Sequence, residues 1–168
     1  IIGSSEDNWL AGGEGSDTYR FSAGWGADTV EDDGIDGMDT LDLSSITADL
    51  AVAIQADGRV SITDGTSTLE DAEGVDSIVG GSGDNVFAFE DGARLYGALD
   101  GGTDGTNTLD YSLYGTAVVV DLAAGTVLAS GVTTTITHFN NATGGSGDDT
   151  LTGNASVNRL EGGAGNDT

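Results

Sequence analysis

The sequence predicts an all-β solenoid, a stack of short strands joined by glycine-rich bends, and three observations carry that prediction. A nine-residue unit of form G-G-x-G-x-D-x-U-x, with U large and apolar, recurs along the chain. Between the glycine clusters, apolar and polar residues alternate as they do in half-buried strands. The chain has 29 glycines but no proline and no cysteine, so turns are plentiful and neither a disulfide frame nor a thiolate metal site is available.

The unit is complete at residues 144–152, GGSGDDTLT. Residues 162–168, GGAGNDT, begin another that stops two residues short, and Ile1-Ile2 supply the missing U-x when the two ends are joined. The frame then runs on through residues 3–11 and 12–20, so that nonapeptides start in succession at 144, 153, 162, 3 and 12. Such a unit cannot bury its single U side chain alone, and stacking on neighbours is the solution. Glycines at its first, second and fourth positions permit positive φ and let carbonyl oxygens turn toward a common point. Asp at the sixth position adds a carboxylate. Hard oxygen donors without His or Cys describe a calcium site.

This grammar resembles the RTX calcium-binding repeats. The resemblance implies a right-handed parallel β-roll with two nonapeptides per coil and calcium between the turns of successive coils on the same edge. Carried onto this chain, the units from 144, 162 and 12 share one edge, with Asp149, Asp167 and Asp17 as ligands. Gly145, Gly147, Gly163, Gly165, Gly13 and Gly15 line their turns. The units from 153 and 3 share the other edge, where Asn158 and Asn8 replace the aspartate and most glycines are missing. That edge is expected to bind calcium weakly or to be held by amide hydrogen bonds. The family further implies a secreted bacterial protein, commonly exported by a type I system, that folds on meeting calcium outside the cell.

A magnitude explains why a cation is needed. Carboxylates stacked at the ~4.8 Å strand spacing repel by roughly 3 kcal/mol per pair at an effective dielectric of about 20. Burying one U side chain returns about 1.5–3 kcal/mol. Ordering entropy then tips the calcium-free chain toward disorder.

Taken in order, residues 12–20 form a full motif, residues 24–30 a partial one and residues 34–41 a third. Asp17, Asp28 and Asp39 are their candidate ligands. From 42 to 79 the glycine rhythm gives way to alternation through Leu50, Val52, Ile54, Val60 and Ile62, broken by the Asp57-Gly58 turn signal. These residues are expected to form longer coils without calcium at every turn. Half a motif returns at residues 74–78.

Residues 80–112 align without gaps on residues 12–44, but Asn85, Tyr96 and Asn107 stand where Asp17, Asp28 and Asp39 stood, which argues against calcium there. A second long block follows through Val118, Val120, Leu122, Val132 and Ile136. The whole reads as a single solenoid segment over 1–168, with related units 12–79 and 80–143, and with 144–168 continuing into 1–11.

Charge narrows the partners. A net charge of −25, with four arginines and no lysine, excludes nucleic acid as a default partner. Nor is any apolar run long enough to span a membrane visible. His138, the only histidine, has no nucleophile beside it in sequence and reads as structural. Trp9, Trp25, Tyr96, Tyr111 and Tyr114 suggest either core filling or a glycan-stacking surface. Paired carboxylates such as Asp32-Asp33 and Asp148-Asp149 follow the turn grammar rather than that of a glycosidase. No enzyme is expected.

The ends regenerate the repeat instead of capping it. The expected function is therefore a calcium-stabilised structural segment of an extracellular filament, adhesin or surface layer that stacks head to tail. The alternatives are a folding and secretion module of a larger RTX enzyme or toxin, and a carbohydrate-binding module.

Overall fold

The structure is a computed structural model and describes residues 1–32 and 37–168. Asp33 and the Gly34, Ile35 and Asp36 of the third partial motif lie outside the described residues. Seventeen strands, and no helix among the described residues, form two sheets. Sheet 1 contains β1 (Trp9–Leu10), β3 (Ala27–Val30), β5 (Ala51–Ile54), β6 (Val60–Thr63), β7 (Thr68–Ala72), β9 (Val86–Phe89), β11 (Thr108–Asp110), β15 (Asn141–Thr143) and β17 (Leu160–Glu161). Sheet 2 contains β2 (Thr18–Arg20), β4 (Thr40–Asp42), β8 (Ser77–Val79), β10 (Ala98–Asp100), β12 (Val119–Asp121), β13 (Thr126–Ala129), β14 (Val132–Thr137) and β16 (Thr150–Thr152).

The chain crosses from one sheet to the other at nearly every turn. Successive strands within a sheet are parallel, as in β2–β4–β8–β10 and β9–β11–β15–β17. This is the β-roll that the nonapeptide period calls for. Its strands are short because nine residues must hold both a strand and a bend.

The two long blocks do more than lengthen a coil. In the first, β5, β6 and β7 form an antiparallel meander within sheet 1, turning at Asp57-Gly58 where Gly58 has φ +91°. The chain overshoots to pair β5 with β9, then folds back to pair β7 with β3. The second block repeats the device in sheet 2, where β12 pairs with β16 and β14 returns to β10. From residue 12 to residue 80 the chain makes an odd number of sheet crossings, so the aligned segments fall on opposite sheets. Each sheet thereby receives one meander. Two inserts in one sheet would lengthen that side alone and splay the stack.

Inward-facing residues form one continuous core. In sheet 2, Tyr19, Leu41, Ile78, Leu99 and Ile136 lie in register, and in sheet 1 Ile62, Val52, Phe87, Leu109 and Ala142 do the same. On β14 the inward positions are Thr134 and Ile136, while Val132 is half-buried. Thr134 is tolerated inside because its hydroxyl donates to the Leu95 carbonyl at 2.7 Å. Aromatic rings fill the wider coils. Phe89 stacks on Tyr111 at 4.5 Å and Phe87 meets Phe139 edge-on at 5.2 Å.

Phe87 is fully buried, whereas its neighbour Val86 points outward. Phe87→Ala is expected to cost about 3–5 kcal/mol and Val86→Ala less than about 1 kcal/mol, measured by denaturant unfolding in saturating calcium.

Candidate metal centre

In each nonapeptide the sixth residue precedes U by two, and side chains two apart on a strand face the same way. The sixth side chain therefore points inward, at the rim of the core where the strand begins. Asp28, Asp39 and Asp149 are accordingly buried, as are Asn85 and Asn107.

Along the rim leading into sheet 2 the carboxylates form a ladder. The Asp17 N–H donates to Asp39 Oδ1 at 2.8 Å, and the Asp39 N–H donates to Asp76 Oδ2 at 3.0 Å. At the opposite end of the same rim, the Asp149 N–H donates to Asp167 Oδ1 at 3.0 Å. Asp149 itself accepts from the Val118 N–H at 2.8 Å and the Gly145 N–H at 2.7 Å. Asp17, Asp39, Asp149 and Asp167 thus belong to the rim of sheet 2. Asp28 belongs to the rim of sheet 1, beside Asn8, whose N–H donates to Asp28 Oδ1 at 2.8 Å.

The first glycine of each unit makes room for the carboxylate. A β-carbon on Gly12, Gly144 or Gly162 would sit 2.5, 2.4 or 2.3 Å from Oδ2 of Asp17, Asp149 or Asp167. The second and fourth glycines divide into two kinds. Gly13, Gly15, Gly163 and Gly165 have positive φ, as expected. Gly145 and Gly147 do not, and are glycine because the Tyr114 carbonyl and the Ala117 amide pack directly against them. The carbonyls of Gly145 and Gly147 in turn lie against Gly163 and Gly165 of the next turn.

One ligand candidate was not legible in the motif. Asp32 lies outside the motif at residues 34–41, yet one carboxylate oxygen from each of Asp17, Asp32 and Asp39 lies within 4.8 Å of the others. The Tyr19 hydroxyl donates to Asp32, and burial followed by that contact pushes the Tyr19 pKa up. Asp76 extends the same ladder. Asp32 escapes a reading of the motif because its spacing departs from the nonapeptide.

These donors fit calcium. They are oxygens only, several are buried, and three of the four arginines are engaged elsewhere: Arg20 with Asp42, Arg59 with Asp57, Asp71 and Glu73, and Arg159 with Glu161. Asp28 Oδ2 is buried without a hydrogen-bond partner, the state of a carboxylate oxygen that awaits a cation. Burial raises the pKa of Asp28, with repulsion from Asp7 adding to it. Burial likewise raises that of Asp39, together with the carboxylates of Asp32, Asp76 and Asp17.

Apart from Asp28, the rim of sheet 1 is built differently. Asn85 Nδ2 donates to the carbonyls of Gly81 at 3.0 Å and Gly101 at 2.8 Å, and Asn107 Nδ2 donates to those of Gly102, Asp104 and His138. Asn158 Nδ2 donates to the Asn140 carbonyl at 2.7 Å. Amide hydrogens there occupy the carbonyls that a cation would otherwise gather.

The remaining sequence candidates are placed as follows. Trp25, Tyr111 and Tyr114 are buried, leaving Trp9 on β1 and Tyr96 in the turn before β10 exposed. His138 has φ +59° and its Nδ1 lies 2.7 Å from Asp100 Oδ1.

Asp149→Asn and Asp39→Asn are each expected to weaken calcium binding by about tenfold or more, because affinity follows ligand charge; calorimetric titration measures it. In calcium-free buffer the pH dependence has an inverted sign. Asp28 and Asp39 hold protons more tightly when folded, so their contribution is fully present below the ordinary value of 3.8 and is lost as pH rises through their raised values. Calcium-free protein is thus expected to melt higher at about pH 4 than at about pH 7, and calcium-loaded protein lower, in paired thermal scans.

Comparison with known proteins agrees with this geometry. The model of the RTX calcium-binding nonapeptide repeat matches in four copies over residues 1–30, 61–95 and 138–168, more than half of the chain. No curated protein and no solved structure matches it. With inward carboxylates on glycine turns and repeats of that family over most of its coils, the chain belongs to the RTX calcium-binding repeat proteins.

Proposed function

We propose that this calcium-binding repeat module is a structural segment of a secreted bacterial surface protein, filament or adhesin, and that it stacks head to tail on further coils. One observation supports the reading: the edge strands of both sheets lie beside exposed apolar side chains. At one end β1 and β2 are edge strands, with Ile2 bridged in parallel to Arg20. At the other, β16 and β17 are the edges, and Thr168 hydrogen-bonds beside β16, donating to the Asp149 carbonyl at 2.9 Å and accepting from the Leu151 N–H.

Exposed apolar side chains accompany the open edges. Ile1, Ile2 and Trp9 are exposed at one end, and Val157 and Leu160 at the other. Unpaired edges with apolar ends are sites of strand addition unless blocked. At such a joint Asp167 meets Asp17, and the carboxylate ladder runs on across it.

Extracellular location is supported by the family, whose members are generally secreted through type I systems. No helix among the described residues is long and apolar enough to cross a membrane. The reading is also non-enzymatic: His138 is engaged with Asp100, and its carbonyl accepts from Asn107. A folding and secretion module of a larger enzyme or toxin is the alternative, and a catalytic domain encoded beside the segment would favour it.

Light scattering coupled to size exclusion, with and without calcium, tests the reading. Elongated, concentration-dependent oligomers are expected in calcium, and Ile2→Lys with Leu160→Lys should abolish them. A calcium-loaded chain that stays monomeric at high concentration would count against stacking between copies.

A further inference from the structure

The buried polar side chains of the rims are sorted along the solenoid axis. Among the described residues, the buried carboxylates are Asp28, Asp32, Asp39 and Asp149, all within β1–β4 and their turns or within the turn before β16. None falls between Leu50 and Thr143, where the only carboxylate joined to the ladder among the described residues is the half-buried Asp76 at its junction with β4. In that interval the buried polar side chains are Ser67, Asn85, Asn107 and Thr134, all uncharged, and the two asparagines are at 0% and 1% exposure.

These asparagines satisfy one another. Asn85 Oδ1 accepts from the Leu50 N–H at 3.1 Å. Asn107 Oδ1 accepts from both the Asn85 N–H and Asn85 Nδ2 at 3.1 Å, and Asn140 Oδ1 accepts from the Asn107 N–H at 2.9 Å. A closed amide ladder of this kind carries no charge to be neutralised and leaves no turn carbonyl waiting for a cation. The same interval holds both antiparallel meanders, whose strands pair with their immediate neighbours in sequence and so cost little loop-closure entropy. The aromatic contacts Phe87–Phe139, Phe89–Tyr111 and Tyr111–Tyr114 also lie within it.

We infer that residues 50–143 form a calcium-independent core, and that calcium orders only the coils on either side of it. The core is the template: β3 adds to the β7 edge, β4 to β8, β16 to β12 and β17 to β15. Each added coil brings carboxylates that must be neutralised before it can stay.

Hydrogen exchange read by mass spectrometry on the whole chain, in chelator and in calcium, tests this. Peptides spanning β5–β15 are expected to be protected in both conditions, with protection changing by less than about threefold. Peptides from β1–β4 and β16–β17 should be protected in calcium and exchange at least about a hundredfold faster in chelator, which corresponds to some 2.7 kcal/mol of local stability. Loss of protection throughout the chain in chelator would overturn the inference, and so would full protection of the flanking coils without calcium. Asn107→Asp supplies an independent arm: a buried carboxylate in the ladder should make β9–β15 exchange fast in chelator. If that variant retains the protection of the unaltered chain, the amide ladder is not what holds the core.

Discussion

The constraint on which this protein turns is the inward direction of one side chain. Because strand side chains alternate, the residue two before each core position U must also face the interior, at the rim where two sheets close on a bend. A column of such residues at strand spacing brings like groups within about 5 Å of one another. Whatever occupies the column must be neutral as a set. Two solutions coexist in the chain. Aspartates make the rim a sink for divalent cations, and asparagines make it a hydrogen-bonded ladder closed on itself.

The choice between the solutions follows the internal duplication. Asp17, Asp39 and Asp76 line the rim of sheet 2 in the first unit, and Asn85, Asn107 and Asn140 line the rim of sheet 1 in the second. Exchange of an oxygen for an amide nitrogen keeps the shape of the side chain. It reverses what the side chain asks of its surroundings, since Nδ2 donates to turn carbonyls that a carboxylate would share with a metal. One repeat grammar therefore yields a segment in which dependence on calcium varies along the axis.

The meanders are the second economy of the fold. Each fills the space of two extra strands in one sheet, and the odd number of crossings between the duplicated units places them on opposite sheets.

Much of this was written locally. The nine-residue period dictated strands and bends, U marked the core ladder through Tyr19 and Leu151, and the sixth position marked Asp17, Asp149 and Asp167 as one edge. The contrast between an aspartate and an asparagine edge was equally open to reading, because it rests on residue identity at a fixed phase. Other features depend on which turns become neighbours, and no local signal encodes that. Asp32 joins Asp17 and Asp39 through the fold and not through the nonapeptide spacing. Gly145 and Gly147 are constrained by the backbones at Tyr114 and Ala117, some thirty residues away, rather than by their own φ. The alternation from Leu50 to Ile62 announced strands without saying that they would double back within one sheet, since period two is common to parallel and antiparallel partners. Local spacing decided what each residue could do; the stacking of distant turns decided which of them do it together.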